Sequence, residues 1–331
     1  MAQAFPSTGS LHLDGEILTG IALDLANADR DYIAPRMPGL EILTPIAATG
    51  QRFEGLIQKS AVNAFFASPD QLTSIMIGEE IPMIPGPIQD AVPWRAKKFA
   101  RAGTIPSEYT VISDERGISS TRFCLGPTVE YVREAREMQV LSAIGTAGNW
   151  ANSTTLVNDW LSAGADPIGD IMDGVEAVSK FGRADTMILG SASAYALMRS
   201  PAFNGPRSLQ SDRGTLTEDE LAEIIRSRFG IGRVLISRAK YNTSKKASPT
   251  AAAVDFMLPD VCWIGKLDGD SMQVGSNFAV RSLAAARVTP MDLWVESQYD
   301  VRTGSILFTA VVHEAFPILE PELGYLIENC T

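Results

Sequence analysis

The distribution of apolar and polar residues along the chain predicts one long helix. Residues 128–144 contain neither Gly nor Pro, and Pro127 stands where the first helical residue should be. The apolar positions fall into two stripes, one of Val129, Val132, Val140, Ala143 and Ile144 and the other of Tyr131, Ala135 and Met138. Glu130, Glu134 and Glu137 share a third side, with Arg133 spaced for helical ion pairs to Glu130 and Glu137. We therefore predict a helix over residues 127–144 that packs on more than one side.

Helical and strand patterns alternate between residues 165 and 240. Asp166 followed by Pro167 is an N-cap with Pro at the first helical position, and Thr217 with Glu220 forms a capping box. The first of these two helices is expected to turn an apolar stripe inward, formed by Ile168, Ile171, Met172, Val175 and Val178. Short apolar runs at 186–189 and 233–237 are typical of buried strands.

The last third of the chain is predicted to be rich in strands. Residues 261–264 form one strand candidate. Residues 294–299 and 305–313 flank a turn that ends in Gly304, which predicts a β-hairpin. A final short strand is expected at 324–329.

The first 126 residues lack the pattern of a self-contained domain. Residues 1–60 are predicted to form an extended arm with at most one short helix near 21–25, while residues 40–43 suit a strand. Residues 61–126 contain six prolines and are predicted to be largely irregular, yet their apolar content argues against disorder. Such a segment has backbone groups and apolar side chains that its own fold does not satisfy. A neighbouring copy of the chain could satisfy both, which favours obligate assembly.

Charge and composition narrow the classes of function. The net charge of −11 over 331 residues repels phosphate backbones, which argues against a dedicated binder of duplex DNA. Cys124, Cys262 and Cys330 lie far apart without metal-ligand or redox spacing, so we expect reduced thiols. We see neither a signal peptide nor an apolar run long enough to span a bilayer. The expectation is a soluble protein made in a cytoplasm.

The sequence has no recognisable catalytic, cofactor-binding or metal-binding constellation. Its two histidines, His12 and His313, are not in a metal-ligand spacing, and G-x-S-x-G does not occur. Gly230 and Gly232 follow a helix and precede a strand, the reverse of the order in a dinucleotide-binding loop. We therefore predict no enzyme activity, no cofactor and no metal. An α/β enzyme is the alternative from another class, and it would need a site that only tertiary structure brings together.

One cluster of positive charge lies in the region predicted to be irregular, formed by Arg95, Lys97, Lys98 and Arg101. It is interpreted in two ways. The cluster could contact an acidic surface of a neighbouring copy, or packaged nucleic acid. Alternatively it is a solvated loop, which is the better explanation for any single charge of the four. The sequence leaves both interpretations open.

The order of these elements, together with local sequence, resembles the major capsid proteins of tailed bacteriophages. Residues 31–36 (DYIAPR) and 37–43 look like that family's N-terminal arm, in which such a motif precedes a proline and a strand. Residues 130–141 resemble its long "spine" helix. Further similar stretches are Trp160 with 166–171 (DPIGDI), then 187–190 (MILG) and 238–242 (RAKYN). The resemblance covers roughly residues 20–329, and the order of many weak motifs carries it.

The resemblance implies an α+β architecture, the Hong Kong phage-type capsid fold. It implies an N-terminal arm at 1–60, an extended loop (E-loop) at 61–126, a peripheral (P) domain with the spine helix at 127–165, a mainly axial (A) domain at 166–285, and return strands of the P-domain at 286–331. Copies would form hexamers and pentamers of an icosahedral shell that encloses double-stranded DNA through non-specific contacts. An encapsulin-type nanocompartment shell has the same fold and is the nearer alternative.

Partners and contact residues also follow from the resemblance. Scaffold, portal and decoration proteins are possible partners, a membrane is not, and the location is the virion after assembly in the cytoplasm of a bacterial host. No scaffold-like helical extension precedes the arm, so assembly would need a separate scaffold protein or none. The candidate inter-subunit contacts are Tyr32, Ile33, Arg36, Trp94, Arg95, Lys97, Lys98, Arg101, Glu130 and Arg133.

Overall fold

The computed structural model has an α+β fold, in which one long helix joins two five-stranded sheets. It describes residues 19, 21–22, 37–42, 45–47, 54–60, 89–106, 120–162, 164–204, 216–243, 254–267, 281–287, 293–300, 302 and 304–331. The helices of eight or more residues are α2 (Ser120–Ile144), α3 (Pro167–Ser179), α4 (Ser191–Arg199) and α6 (Glu218–Phe229). Two short helices are α1 (Pro38–Ile42) and α5 (Pro201–Asn204).

The first sheet is built around a long central strand. Its strands are β1 (Pro45–Ala47), β4 (Lys97–Pro106), β11 (Ala285–Arg287), β12 (Trp294–Asp300) and β13 (Ser305–Ala315). Strand β13 pairs antiparallel with β4 along one side and with β12 and then β11 along the other, while β1 runs parallel to β11. The predicted hairpin is confirmed, because β12 and β13 pair across a turn in which Gly304 has a φ of 62°.

The long helix begins at Ser120, so its predicted start at Pro127 is wrong. A proline inside a helix removes one backbone hydrogen bond. Here the turn before Pro127 carries Leu125, which is fully buried against the first sheet, and that burial offsets the lost bond. The first predicted stripe is confirmed, since Val129, Val132 and Val140 are buried. The predicted acidic side is wrong at Glu137, which is completely buried.

The second sheet lies between helices and the far end of α2. Its order is β5 (Asn152–Thr155), β14 (Gly324–Glu328), β10 (Val261–Gly265), β6 (Thr186–Leu189) and β7 (Arg233–Ile236). Strands β8 (Lys240–Asn242) and β9 (Val254–Phe256) pair antiparallel in a separate two-stranded ribbon. One face packs on helices α3, α4 and α6 through a large apolar core. The other face contributes Ile188, Trp263 and Leu326 to a core with the end of α2, where Leu141 and Ile144 are buried.

Local sequence signals correctly predicted where the helices beside this sheet begin. Asp166 caps α3 by accepting a hydrogen bond from the amide of Gly169 at 3.0 Å, and Thr217 and Glu220 form the predicted capping box of α6. Met172 was expected to face inward, but about half of its surface is exposed. The final strand exists as predicted, but it joins this second sheet instead of the strands at 286–315, and β5 lies beside it.

Residues 89–106, which lie within the region predicted to be irregular, contain two regular strands. Strand β3 (Gln89–Arg95) pairs antiparallel with β2 (Glu54–Ser60) in a separate two-stranded ribbon, and β4 follows after Ala96. Pro93 is tolerated because β3 is an edge strand, where a missing amide need not leave a ladder bond unmade. The predicted strand at 40–43 is also wrong: these residues overlap helix α1, and the strand follows at 45–47. Near the predicted arm helix, Thr19, Ile21 and Ala22 are helical.

A buried ion pair joins the long helix to the first sheet. The Nε and Nη2 atoms of Arg136 both lie 2.8 Å from Oε2 of Glu314 on β13. The side chain of Glu314 is completely buried and that of Arg136 is 7% exposed. Because water reaches neither charge freely, each depends on the other for its stability.

Breaking this pair should destabilise the fold strongly. The variant Arg136→Met leaves Glu314 charged and buried, and we expect a loss of about 3–5 kcal/mol in the free energy of unfolding. The double variant Arg136→Met/Glu314→Leu should recover most of that loss. Urea denaturation of the monomeric protein measures both. Arg133→Met, which removes an ion pair on the helix surface that is partly exposed, is the control and should cost no more than about 1 kcal/mol; an equal loss in both single variants would contradict the prediction.

Candidate assembly surfaces

The structure distributes the sequence-predicted contact residues over three places. Tyr32, Ile33 and Arg36 lie outside the described residues. Five others, Trp94, Arg95, Lys97, Lys98 and Arg101, lie on β3 and β4. Glu130 and Arg133 lie on α2.

Trp94 holds the β2–β3 ribbon to the rest of the subunit. It is 9% exposed and packs in a small apolar cluster with Ala284, Ala286, Ala315 and Leu319. The remainder of the ribbon extends from this anchor, and Leu56 on β2 is 66% exposed. Trp94 therefore makes its apolar contacts within its own chain. The exposed apolar side chain of the ribbon is that of Leu56.

The basic cluster is divided between the two faces of the first sheet. Successive residues of a strand point to opposite sides, so neighbours in sequence do not form one patch. Lys97 and Arg101 face helix α2: Nζ of Lys97 donates to Oε1 of Gln139 at 2.9 Å, and the Arg101 guanidinium lies 4.6 Å from the centre of the Tyr131 ring. Lys98 pairs in register with His313 on the opposite face.

The face of Lys98 carries an aromatic pair. The rings of His313 and Trp294 lie 5.0 Å apart. Partial burial lowers the pKa of His313, the charge of Lys98 lowers it further, and Glu296 raises it. The imidazole is therefore favoured in its neutral form near neutral pH, which reduces its repulsion of Lys98.

A half-open groove of about 180 Å³ lies where β3 meets β4. The residues that line it include the basic side chains of Arg95 and Lys97 and the aromatic side chains of Trp94 and Phe316. Such a surface suits a peptide segment that carries both apolar and acidic side chains. It is small, and it adjoins the ribbon anchor.

Glu130 and Arg133 form one of the two predicted helical ion pairs. Nη1 of Arg133 lies 3.2 Å from Oε2 of Glu130, at side-chain exposures of 14% and 31%. The second predicted pair, from Arg133 to Glu137, is wrong, because Glu137 points inward and binds other groups. An ion pair on the helix surface contributes little to stability, and Glu130, the more exposed of the two residues, is available to a neighbour.

Glu137 is the most informative residue that sequence reasoning missed. Its carboxylate accepts two backbone hydrogen bonds from helix α1, from the amide of Gly39 at 2.9 Å and from the amide of Leu40 at 2.8 Å. This contact holds the N-terminal segment against the long helix. A signal existed in the sequence, because position 137 is three residues before Val140 and seven before Ile144, on the buried stripe.

Burial raises the pKa of Glu137 from 4.5 to about 7. The two amide hydrogen bonds and the charges of Arg136 and Arg133 act in the opposite direction and only partly offset the burial. The carboxyl group therefore changes protonation close to neutral pH, at the contact between the N-terminal segment and helix α2.

The described residues give no sign of metal chemistry. No group of three or more His, Cys, Asp or Glu side chains among them is placed to bind a metal ion. The three cysteines are free thiols, and burial raises the pKa of each of them. No described helix is both long and apolar enough to cross a membrane.

The architecture is the Hong Kong phage-type capsid fold. A crystal structure of a phage-related protein from Bordetella bronchiseptica is similar to it, with a TM-score of 0.66, 14% identity, and coverage of 93% of this chain and 96% of that one. A virus-like particle from Pyrococcus furiosus matches with a TM-score of 0.53 and 12% identity over 95% and 98% of the two chains. A cyanophage capsid matches with a TM-score of 0.50 and 8% identity over 90% and 89%. Neither a protein-family model nor a curated protein matches the sequence.

The protonation of Glu137 should make stability depend on pH. Its folded pKa lies above the unfolded value, so its contribution is fully present below about pH 4.5 and is lost as pH rises through 7. The total loss should be roughly 3 kcal/mol. Glu137→Gln cannot ionise, so the difference in unfolding free energy between wild type and this variant should fall by that amount from pH 4.5 to 8.5.

Urea denaturation of unassembled subunits at a series of pH values measures this difference. Glu176→Gln, at an exposed position of α3, is the matched control. A difference between wild type and Glu137→Gln that stays constant with pH would contradict the assignment.

Proposed function

We propose that this chain is the major capsid protein of a tailed bacteriophage, whose copies form the hexamers and pentamers of an icosahedral shell around double-stranded DNA. The observation that carries the proposal is the fold, which matches that of a cyanophage capsid over 90% of the chain. The role is structural and not enzymatic. Its location would be the virion, after assembly in the cytoplasm of the bacterial host.

The β2–β3 ribbon supports an assembling subunit on physical grounds. A two-stranded ribbon is marginally stable in water unless it packs on something else. Here one end is anchored by Trp94, while Leu56 on the other strand is largely exposed. A neighbouring copy that covers this ribbon would bury apolar surface that the single subunit leaves in water.

We assign the parts of the chain as follows. The first sheet with helix α2 is the P-domain, and the second sheet with α3, α4 and α6 is the A-domain. Strands β5 and β14 pair with the second sheet, so the A-domain takes in residues 152–155 and 324–328. The E-loop corresponds to the ribbon and the residues between its strands, 54–95, and the N-terminal arm to the residues before it.

The basic residues of β3 and β4 are proposed as contacts between subunits. Arg95, Lys97, Lys98 and Arg101 are all exposed, and the rest of the protein is strongly acidic. Neighbouring acidic surface would attract them. The overall net charge disfavours tight DNA binding, so contact with packaged DNA would be non-specific. Scaffold, portal and decoration proteins are further proposed partners.

An encapsulin-type nanocompartment shell is the second candidate, because the fold likeness to the Pyrococcus virus-like particle extends over 95% of this chain. Both candidates are closed protein shells, and they differ in what the shell contains. Nuclease-resistant genomic DNA inside particles from producing cells supports the phage head. Particles filled with protein and lacking such DNA support the nanocompartment.

Removing residues 1–18 should impair shell formation without unfolding the subunit. The deletion retains Thr19, whose hydroxyl accepts a hydrogen bond from the amide of Val295 at 3.0 Å, and the buried Ala22. We expect a roughly tenfold or greater fall in particle yield. Sedimentation velocity measures particles and free subunits together. Thr19→Ala, which loosens the arm but keeps it, is the control; normal particles from the deletion would refute an assembly role for this segment.

Reversing the basic cluster should also block or distort assembly. The variant carries Glu at positions 95, 97, 98 and 101, so that attraction to acidic surface becomes repulsion. We expect particle yield to fall at least roughly tenfold, as seen by light scattering and electron microscopy. Gln at the same four positions removes the charge without reversing it and should give an intermediate yield. Particles of normal yield and size from the Glu variant would mean that the cluster is merely solvated.

A further inference from the structure

The second sheet has an acidic surface beside one of its outer strands and a cluster of arginines beside the other. One side comprises edge strand β5, the loop after it and helix α3, which packs on β14 and β10. From residue 137 to residue 179 the sequence contains no Lys, Arg or His. The exposed or half-exposed acidic residues of this side, which we call the acidic edge, are Asp159, Asp166, Asp170, Asp173 and Glu176.

The acidic edge is one continuous surface that also exposes large apolar side chains. The indole nitrogen of Trp160 donates to Oδ2 of Asp170 at 2.9 Å, which fixes the loop after β5 against α3. On this framework Val157 is 95% exposed, and Leu161 and Met172 are each about half exposed. Asp166, Asp173 and Glu176 have no ion-pair partner among the described residues. Exposed large apolar side chains that are rimmed by polar and charged residues mark sites of protein contact.

The opposite side of the sheet carries a cluster of four arginines, Arg183, Arg226, Arg228 and Arg233, which we call the basic corner. The acidic residues of α6, which are Glu218, Asp219, Glu220 and Glu223, lie in the first half of that helix, whereas its two arginines lie in the last turn. Edge strand β7 begins at Arg233, and helix α6, which packs on β7, ends in a turn that holds Arg226 and Arg228. Arg183 joins them because its Nη2 donates to the carbonyl of Gly230 at 3.2 Å. All four arginines are exposed.

We propose that the acidic edge of one copy docks against the basic corner of a second copy, so that the second sheets join head to tail in rings. The inference rests on the proposed function and names the surfaces through which subunits of one capsomer meet. The acidic edge includes β5 and the basic corner includes the start of β7. These two strands are the outer strands of a five-stranded sheet and lie roughly 19 Å apart, so one copy can engage two neighbours at once. A contact between two different surfaces is heterologous, and it closes into a ring when the rotation allows. Charge complementarity fixes the direction of the ring.

Charge reversal on one side at a time tests the proposal. Variant A carries Lys in place of Asp159, Asp173 and Glu176, which changes the charge of the acidic edge from −5 to +1. Variant B carries Glu in place of Arg183, Arg226 and Arg228, which changes the charge of the basic corner from +4 to −2. Each variant alone sets like charges against each other, so each should lose capsomers and shells by roughly tenfold or more. A chain that combines A and B has both surfaces reversed and should assemble close to wild-type level. The control carries Lys in place of Asp219, Asp255 and Glu296, which changes the net charge as much as variant A but at exposed sites outside both surfaces.

Mixing A with B gives the sharpest outcome. The reversed edge of A fits the reversed corner of B, and the native edge of B fits the native corner of A, so the two must alternate around a ring. Alternation is possible in rings with an even number of subunits and impossible in pentamers. The mixture should therefore recover hexamers, with flat sheets or tubes, but not closed shells. Recovery on mixing also demonstrates that each variant is folded.

The failures of the two proposals are distinguishable. If wild type forms no capsomers or shells, the proposed function fails and this inference fails with it. If wild type assembles and variants A and B assemble equally well, only this inference is overturned. The same holds if A and B fail and the chain that combines them and the mixture also fail, because the two surfaces would then not be partners.

Discussion

Two consecutive buried charges on helix α2 constrain the rest of the subunit. Arg136 points to the first sheet and binds Glu314, while Glu137 points about 100° away and binds the amides of Gly39 and Leu40. Each group would be costly in its buried position without its partner. The helix can therefore adopt one position between the sheet and the N-terminal segment. The same helix ends in the core of the second sheet, so it links the N-terminal segment, the first sheet and the second sheet.

The apolar cores cover the inner faces of the sheets, but several partly apolar surfaces remain exposed to solvent. The β2–β3 ribbon has its buried anchor at Trp94, and the acidic edge exposes Val157 almost completely. These surfaces belong to rigid elements, because Trp94 and Trp160 are buried and hold them in place. A rigid, partly apolar surface loses little conformational entropy on binding, which favours association between copies. The subunit thus combines a fixed interior with surfaces that association would bury.

Most elements of the second sheet were predictable because their signals are local, whereas β5 was not predicted. A capping residue, a proline at the first helical position or a short apolar run needs no knowledge of the rest of the chain, and the capped helices begin where these signals place them. Strands β3 and β4 were missed because prolines obscured them and because strand pairing depends on partners far away in sequence. The division of the basic cluster between two faces was equally hidden, since it follows from the alternation of a strand that was not predicted. Glu137 looked like a surface residue because charge was given more weight than its place on the buried stripe.

The central claim is that this fold exists to build a shell. Negative-stain electron microscopy of the purified full-length protein, with light scattering of its mass, tests that claim most directly. We expect the purified protein to form closed shells, tubes or capsomer rings with masses of many subunits. A homogeneous monomer or small dimer, even when a scaffold protein is supplied, would contradict it and would direct attention back to the groove beside Trp94.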